Sequence, residues 1–203
     1  IGYFTFAVLG LSTAIALFLS IAVDLADIHN RASTIDPLTG VGNRRAFERE
    51  ADEHASRTTL YGAVIMLDID HFKLINDQFG HAGGDMVLSR VAQSISRHFA
   101  AMGPVIRMGG EEFALLVRAP YTEGAAAAAQ LIGMALSAEQ FPDCADLTVT
   151  ASLGVAHVEV DEPLIETLRR ADLALYAAKK SGRNRVEIAP STSVPQAATG
   201  TPA

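Results

Sequence analysis

From Tyr61 to Leu67 the chain runs without a charge (YGAVIML) and then ends on Asp68-Ile69-Asp70. A short apolar run bounded by charge reads as a buried strand, and such a strand exists only inside a sheet that other elements cover. The remaining sequence must therefore supply more strands and apolar helix faces. Ala46, Phe47 and Ala51 mark a helix after Asn43. Met86, Val87, Leu88, Val91 and Ile95 have helical spacing within 84–99. Val105–Met108, a Gly109-Gly110 turn and Glu112–Val117 read as a hairpin. An alanine-rich helix covers 123–138, and 147–157 (LTVTASLGVAH) is strand-like, as one strand or as two around Gly154. A helix with Pro163 in its first turn runs to Lys180, and Val186–Ile188 is a last strand. The core order is β-α-β-β-α-β with a helix before it and a helix–strand unit after it. That is an α+β, ferredoxin-like arrangement, one sheet with packed helices.

The two ends differ from this core. Residues 1–23 carry no charged side chain. As a helix they would span roughly 34 Å, enough for a hydrocarbon core of about 30 Å. Tyr3, Phe4 and Phe6 cluster where interfacial aromatics sit. No basic start or cleavage site suggests a signal peptide. A transmembrane helix is expected over 1–23, then a linker helix over 24–35 stopped by Pro37. Arg31, Arg44 and Arg45 place that side in the cytoplasm, at an inner membrane. The first residue is Ile1, so a sensory region upstream is expected. Residues 190–203 have neither charge nor periodicity and are expected to be disordered.

Composition removes several classes of function. With a net charge of −7, the 203-residue chain lacks the basic stripe that a nucleic-acid polymer requires. Cys144 is the single cysteine, so no internal disulfide exists, and no histidine stands at zinc-ligand spacing from it.

Four clusters carry chemistry. Asp68 and Asp70 end the buried strand and share a face. Glu111 and Glu112 follow the glycine turn, and the topology can bring Asp68 and Glu111 together. Converging carboxylates are costly unless a cation neutralises them, and hard oxygen donors beside a phosphate point to Mg²⁺. Solvated turn acids are the plainer reading. Asn76 to Asp85 forms a polar loop leading into a helix. A carboxylate there accepts from guanine N1–H and N2–H₂ together, whereas Asp85 could equally cap the helix that starts there. Lys179 and Arg183, four apart at a helix end, could share one phosphate or simply complement the helix dipole.

In chain order the motifs are Asp36-Pro-Leu-Thr-Gly-Val-Gly-Asn-Arg-Arg45, Asp68-Ile-Asp-His-Phe-Lys-Leu-Ile-Asn-Asp77, Gly80-His81, Gly84-Asp85, Arg107-Met-Gly-Gly-Glu-Glu-Phe113 and Ala177-Ala-Lys-Lys-Ser-Gly-Arg-Asn-Arg185. Together they resemble the diguanylate cyclase (GGDEF-domain) family over about 34–189, with the domain itself set at 36–189. The resemblance implies a nucleotidyl-cyclase or palm-type sheet and a reaction in which two GTP become cyclic di-GMP with loss of two pyrophosphates. It implies Mg²⁺ on Asp68, the Ile69 carbonyl and Glu111, with Glu111 also accepting the 3′-hydroxyl proton. It places Lys73 on the transition-state charge, Asn76 and Asp85 on guanine, His81 on the nucleotide, and Lys179 with Arg183 on the phosphates. A homodimer follows, because one site holds one GTP. Two departures stand out. Val41-Gly42 replaces the usual Leu-Pro of the first motif. Ala100 and Gly103 occupy the positions where many members carry the Arg-x-x-Asp of a product-inhibition site. The alternative function is a catalytically silent GTP-binding module that regulates a partner.

Overall fold

The computed structural model describes residue 18 and residues 33–141 and 147–191. The segment expected to cross a membrane, most of the linker helix, Cys144 and residues 192–203 of the expected tail lie outside the described residues. Among the described residues no helix is long and apolar enough to cross a membrane.

From Ile35 onward the elements are α1 (Arg44–Ala55), β1 (Tyr61–Ile69), α2 (Phe72–Phe99), β2 (Val105–Gly109), β3 (Glu112–Arg118), a 3₁₀ turn (Ala119–Gly124), α3 (Ala125–Ala138), β4 (Ala151–His157), α4 (Leu164–Lys180) and β5 (Val186–Ile188). The five strands lie in the order β2-β3-β1-β4-β5. β1 runs antiparallel to both of its neighbours, β2 and β3 form an antiparallel hairpin, and β5 joins β4 in parallel. The sheet is mixed, with β1 at its centre. A central strand is covered on both faces, which is why its apolar run shows no alternation.

Alternate residues of β1 enter two separate cores. Ala63, Ile65, Leu67 and Ile69 pack with Val87, Val91 and Ile95 of α2 and with Ala129, Ile132 and Leu136 of α3. Val64 and Met66 pack on the opposite face with Phe47 of α1 and with Ala171, Ala174 and Leu175 of α4. Each such Val, Leu, Ile, Met or Phe side chain contributes about 1.5–3 kcal/mol by leaving water. Asp68 has the parity of Val64 and Met66, so the strand delivers its carboxylate to the α4 side.

Local signals set the boundaries. Asn43 starts α1, its Oδ1 accepting from the Arg45 and Ala46 amides at 3.0 and 3.2 Å. Four expectations change. Ser33 and Thr34 are not helical, and Ile35 forms a bridge with Gly42, so the linker helix does not reach residue 35. Residues 76–85 are helical, not a loop: α2 begins at Phe72 and bends at Gly80, where φ is 71°. Phe72, Ile75 and Phe79, spaced i, i+3 and i+7, supply the apolar stripe of that first arm. Residues 147–150 precede the single strand β4. Finally, Pro190 and Ser191 are held to the domain, by Arg170 Nη1 donating to the Pro190 carbonyl at 3.4 Å and Ser191 Oγ donating to Glu159 Oε1 at 3.1 Å.

Candidate active site

The end of β1, the β2–β3 turn and the end of α4 converge. Asp68 is buried and bonded to Lys179, with Nζ 2.7 Å from Oδ2. Its cross-strand partner in β3 is Glu112. Burial pushes the Asp68 carboxyl up; the Lys179 ammonium pulls it down; Glu111 and Asp70 push it up again, and the result lies above the ordinary value. Glu112 is also raised, by burial first and then by the Asp68 charge. Asp68 and Glu112 thus share one ammonium and both feel the Glu111 charge, which makes a further cation favourable.

The turn itself is held from a distance. Arg107 Nε and Nη2 donate to the Gly110 carbonyl at 3.0 and 2.8 Å, and its Nη1 reaches Asp36 Oδ1 and Oδ2 at 3.2 and 3.3 Å. Asp36 Oδ1 also accepts from the Thr39 amide and hydroxyl, at 2.9 and 2.6 Å. Burial pushes Asp36 up, but Thr39 and Arg107 outweigh it and leave the carboxyl below its ordinary range. The first motif is thus a brace for the glycine turn. The Ile69 amide donates to the Glu111 carbonyl at 3.4 Å, closing the turn onto the strand end.

A second group forms where α2 bends. Asn76, on the first arm, lies against Gly84 on the second; a Cβ at Gly84 would come within 2.0 Å of Asn76 Oδ1. This close approach sets Asn76 beside the turn that carries Asp85. His81 and Asp85, four apart on the second arm, are both exposed and share a face. Asp85 lies more than a turn beyond Gly80, too deep in the helix to cap it. Lys73 is exposed in the first turn of α2.

Arg183 departs from expectation. α4 ends at Lys180, and Arg183 lies in the following loop with φ 63°. Lys179 and Arg183 therefore do not share a helix face. Lys179 joins the acids, while the Arg183 guanidinium makes no hydrogen bond or ion pair among the described residues and is exposed.

Among the described residues no three His, Cys, Asp or Glu side chains could hold a metal ion between them. Mg²⁺ is commonly held by one or two carboxylates, with carbonyl, water and phosphate oxygens completing its shell. The raised, mutually repelling carboxylates of Asp68 and Glu112 are the donor chemistry that such an ion would relieve.

A family model described as "Diguanylate cyclase, GGDEF domain" matches residues 33–185. The chain belongs to the GGDEF diguanylate cyclase family. It is 37% identical over 169 residues to the diguanylate cyclase DgcP of Pseudomonas aeruginosa, covering 81% of this chain and 25% of that protein. It is similar to the crystal structure of the coiled coil and GGDEF domain of DgcB from Caulobacter crescentus in complex with c-di-GMP, with a TM-score of 0.71, 33% identity, and 88% and 97% of the two chains covered. It is also similar to the active GGEEF domain of a diguanylate cyclase from Vibrio cholerae, with a TM-score of 0.65, 35% identity, and 74% and 98% covered.

Sequence reasoning about this GGDEF domain named Glu112 in the turn cluster but set Glu111 against Asp68, whose cross-strand partner is Glu112. The signal was present: Glu112, Ala114 and Leu116 alternate with Phe113, Leu115 and Val117, and Ala114 and Leu116 enter the same core as Met66. Period two therefore puts Glu112, not Glu111, across from Asp68. The Asp36–Arg107 brace spans 71 residues and had no local signal.

Proposed function

We propose that the chain is a diguanylate cyclase that condenses two GTP into cyclic di-GMP and two pyrophosphates across a homodimer. The carrying observation is the Asp68–Lys179 pair at the glycine turn, with the charges of Glu111 and Glu112 beside it, inside a domain of this family. Each 3′-hydroxyl oxygen bonds to the α-phosphorus of the other GTP, the bond from that phosphorus to the pyrophosphate oxygen breaks, and the hydroxyl proton leaves to a base.

Glu111 is the residue assigned to take that proton. Asp68, the Ile69 carbonyl and Glu111 would hold Mg²⁺, which when bound polarises the attacking and leaving oxygens. Lys73 supports the charge that develops on the phosphoryl group. Asp85 and Asn76 select guanine, with His81 beside them: a carboxylate accepts from the two adjacent N–H groups that adenine lacks. Lys179 and Arg183 bind the phosphates, Lys179 by exchanging its Asp68 partner for a phosphate oxygen. Supporting this reading, Asp85, His81 and Arg183 are exposed and open to a ligand.

Activity should need two copies facing each other. Specific activity of residues 33–203 should fall on dilution below the dimer dissociation constant; a rate per molecule that stays flat there contradicts the homodimer. The charge-free segment 1–23 supports anchoring in the inner membrane with the domain in the cytoplasm, delivering an upstream signal. The full chain should then resist alkaline carbonate extraction while a chain lacking residues 1–32 does not; release of both contradicts the anchor.

Feedback through the usual upstream surface is not expected. A Cβ at Gly103 would meet the Leu116 carbonyl oxygen at 1.7 Å, so no aspartate fits there without moving the backbone. Cyclic di-GMP should inhibit only by competing with GTP. Inhibition that saturating GTP leaves unrelieved would contradict this. The function itself is tested by Glu111→Gln, which keeps the side chain's shape and removes its charge: the rate of product formation should fall on the order of 10²–10³-fold with melting unchanged.

A further inference from the structure

Asp70 shares a face with Asp68 in sequence, yet its surroundings are different. It is 5% exposed. Its Oδ1 accepts from Ser152 Oγ at 2.7 Å, and its Oδ2 accepts from Thr150 Oγ1 at 2.9 Å and from the Asn184 amide at 3.0 Å. Its own amide donates to the Thr150 carbonyl at 2.9 Å. Both oxygens are engaged, and the partners come from the β4 side of the sheet and from the loop after α4.

That loop is strained. Gly182, Arg183 and Asn184 have φ of 110°, 63° and 46°. Asn184 adopts the left-handed region more readily than most residues, but for Arg183 it is unfavourable and persists where surrounding bonds enforce it. Three bonds do so. The Arg183 amide donates to the Ala178 carbonyl at 3.0 Å, the Leu153 amide donates to the Arg185 carbonyl at 2.8 Å, and the Asn184 amide donates to Asp70. The last is the one that involves a charged group, and it acts at the residue next to Arg183.

We propose that Asp70 is a positioning residue: from the end of β1 it holds the left-handed loop that presents Arg183, so that the strand carrying Asp68 also sets the aim of the arginine at the nucleotide phosphates. This rests on the reading of Arg183 as a phosphate ligand. Both Asp70 oxygens are taken by Ser152, Thr150 and the Asn184 amide, so Asp70 acts through the loop that carries Arg183.

The test is binding of 3′-deoxy-GTP with Mg²⁺, which lacks the attacking hydroxyl, to the full chain by calorimetry. Asp70→Asn keeps the size but cannot accept from all three donors. A misaimed charge-assisted contact should weaken binding about tenfold, as should Arg183→Ala, and the double variant should bind no more weakly than Arg183→Ala. With GTP, Asp70→Asn should raise KM about tenfold and leave kcat within about threefold. Multiplying losses in the double variant, or an unchanged affinity in Asp70→Asn, overturns the proposal while leaving the phosphate role of Arg183 intact. Unchanged affinity in Arg183→Ala overturns that role and the proposal with it. Should Asp70→Asn fail to fold, Thr150→Val removes one donor and leaves the carboxylate. It should weaken binding about threefold in the wild-type background and not at all in the Arg183→Ala background; an equal loss in both backgrounds overturns the proposal.

Discussion

Two groups of acids in this domain have opposite electrostatics. Asp36 and Glu162 are partly buried carboxylates gripped by arginines. Glu162 accepts from Arg170 Nε at 2.8 Å and Nη2 at 2.6 Å and from Thr167 Oγ1 at 2.8 Å. Burial pushes it up, but Arg170, the Glu159 amide and Thr167 outweigh that and lower its pKa. Arg170 also donates to the His157 and Pro190 carbonyls, so one side chain ties β4, α4 and the segment after β5. Asp68 and Glu112 are both raised, by burial first and then by neighbouring acids, and the single Lys179 ammonium does not offset the two together. Acids bound directly by guanidinium donors hold the fold together. Acids left in excess mark where the fold accepts an electrostatic cost that a cation and a nucleotide can relieve.

The contrast can be broken at either end. Arg170→Met should cost about 3–5 kcal/mol of stability in urea unfolding, because it strands the partly buried Glu162 charge. Turnover per folded molecule should be preserved, and a variant that unfolds at the wild-type midpoint would remove Arg170 from the structural group. Glu111→Gln should have the opposite profile, a loss on the order of 10²–10³ in kcat with an unmoved midpoint, equivalent to about 2.7–4 kcal/mol of barrier. Asp85→Ala should weaken GTP binding by about 1.5–3 kcal/mol and leave ATP binding nearly unchanged. Equal losses for both nucleotides would assign Asp85 to the helix alone.

A pH series sharpens the same contrast with the smallest effect. Glu162 has a depressed pKa in the folded state, against an ordinary value of 4.5. Its contribution is fully present above that ordinary value and is lost as pH falls through the depressed one. The stability gap between wild type and Arg170→Met should therefore be widest near neutral pH and narrow as the pH drops below about 4.5. A gap that stays constant would mean that Arg170 acts by packing and not by charge.

Much of the domain was legible because local signals agree with the fold. Asn43 followed by the apolar positions of α1, the uncharged run of β1 and the glycine turn each announce an element. The bend in α2 was hidden because Asn76, Asp77 and Gln78 make its first arm look like a loop, while Phe72, Ile75 and Phe79 carry the helix underneath. The placement of Arg183 was hidden for a different reason. Spacing of four implies a shared face only if the helix continues, and the loop that ends it is enforced by Asp70, over a hundred residues earlier in the chain. The Asp68–Glu112 pairing needed strand register, which the alternation in β3 contained. The brace from Asp36 to Arg107 is tertiary and no local pattern encodes it.

The most direct measurement is to incubate the purified chain with GTP and Mg²⁺ and resolve the nucleotides by chromatography and mass. Cyclic di-GMP should accumulate with two pyrophosphates released per product, and omission of Mg²⁺ should stop it. GTP that binds but is recovered unchanged under those conditions would contradict the cyclase reading and leave the chain a silent nucleotide-binding module.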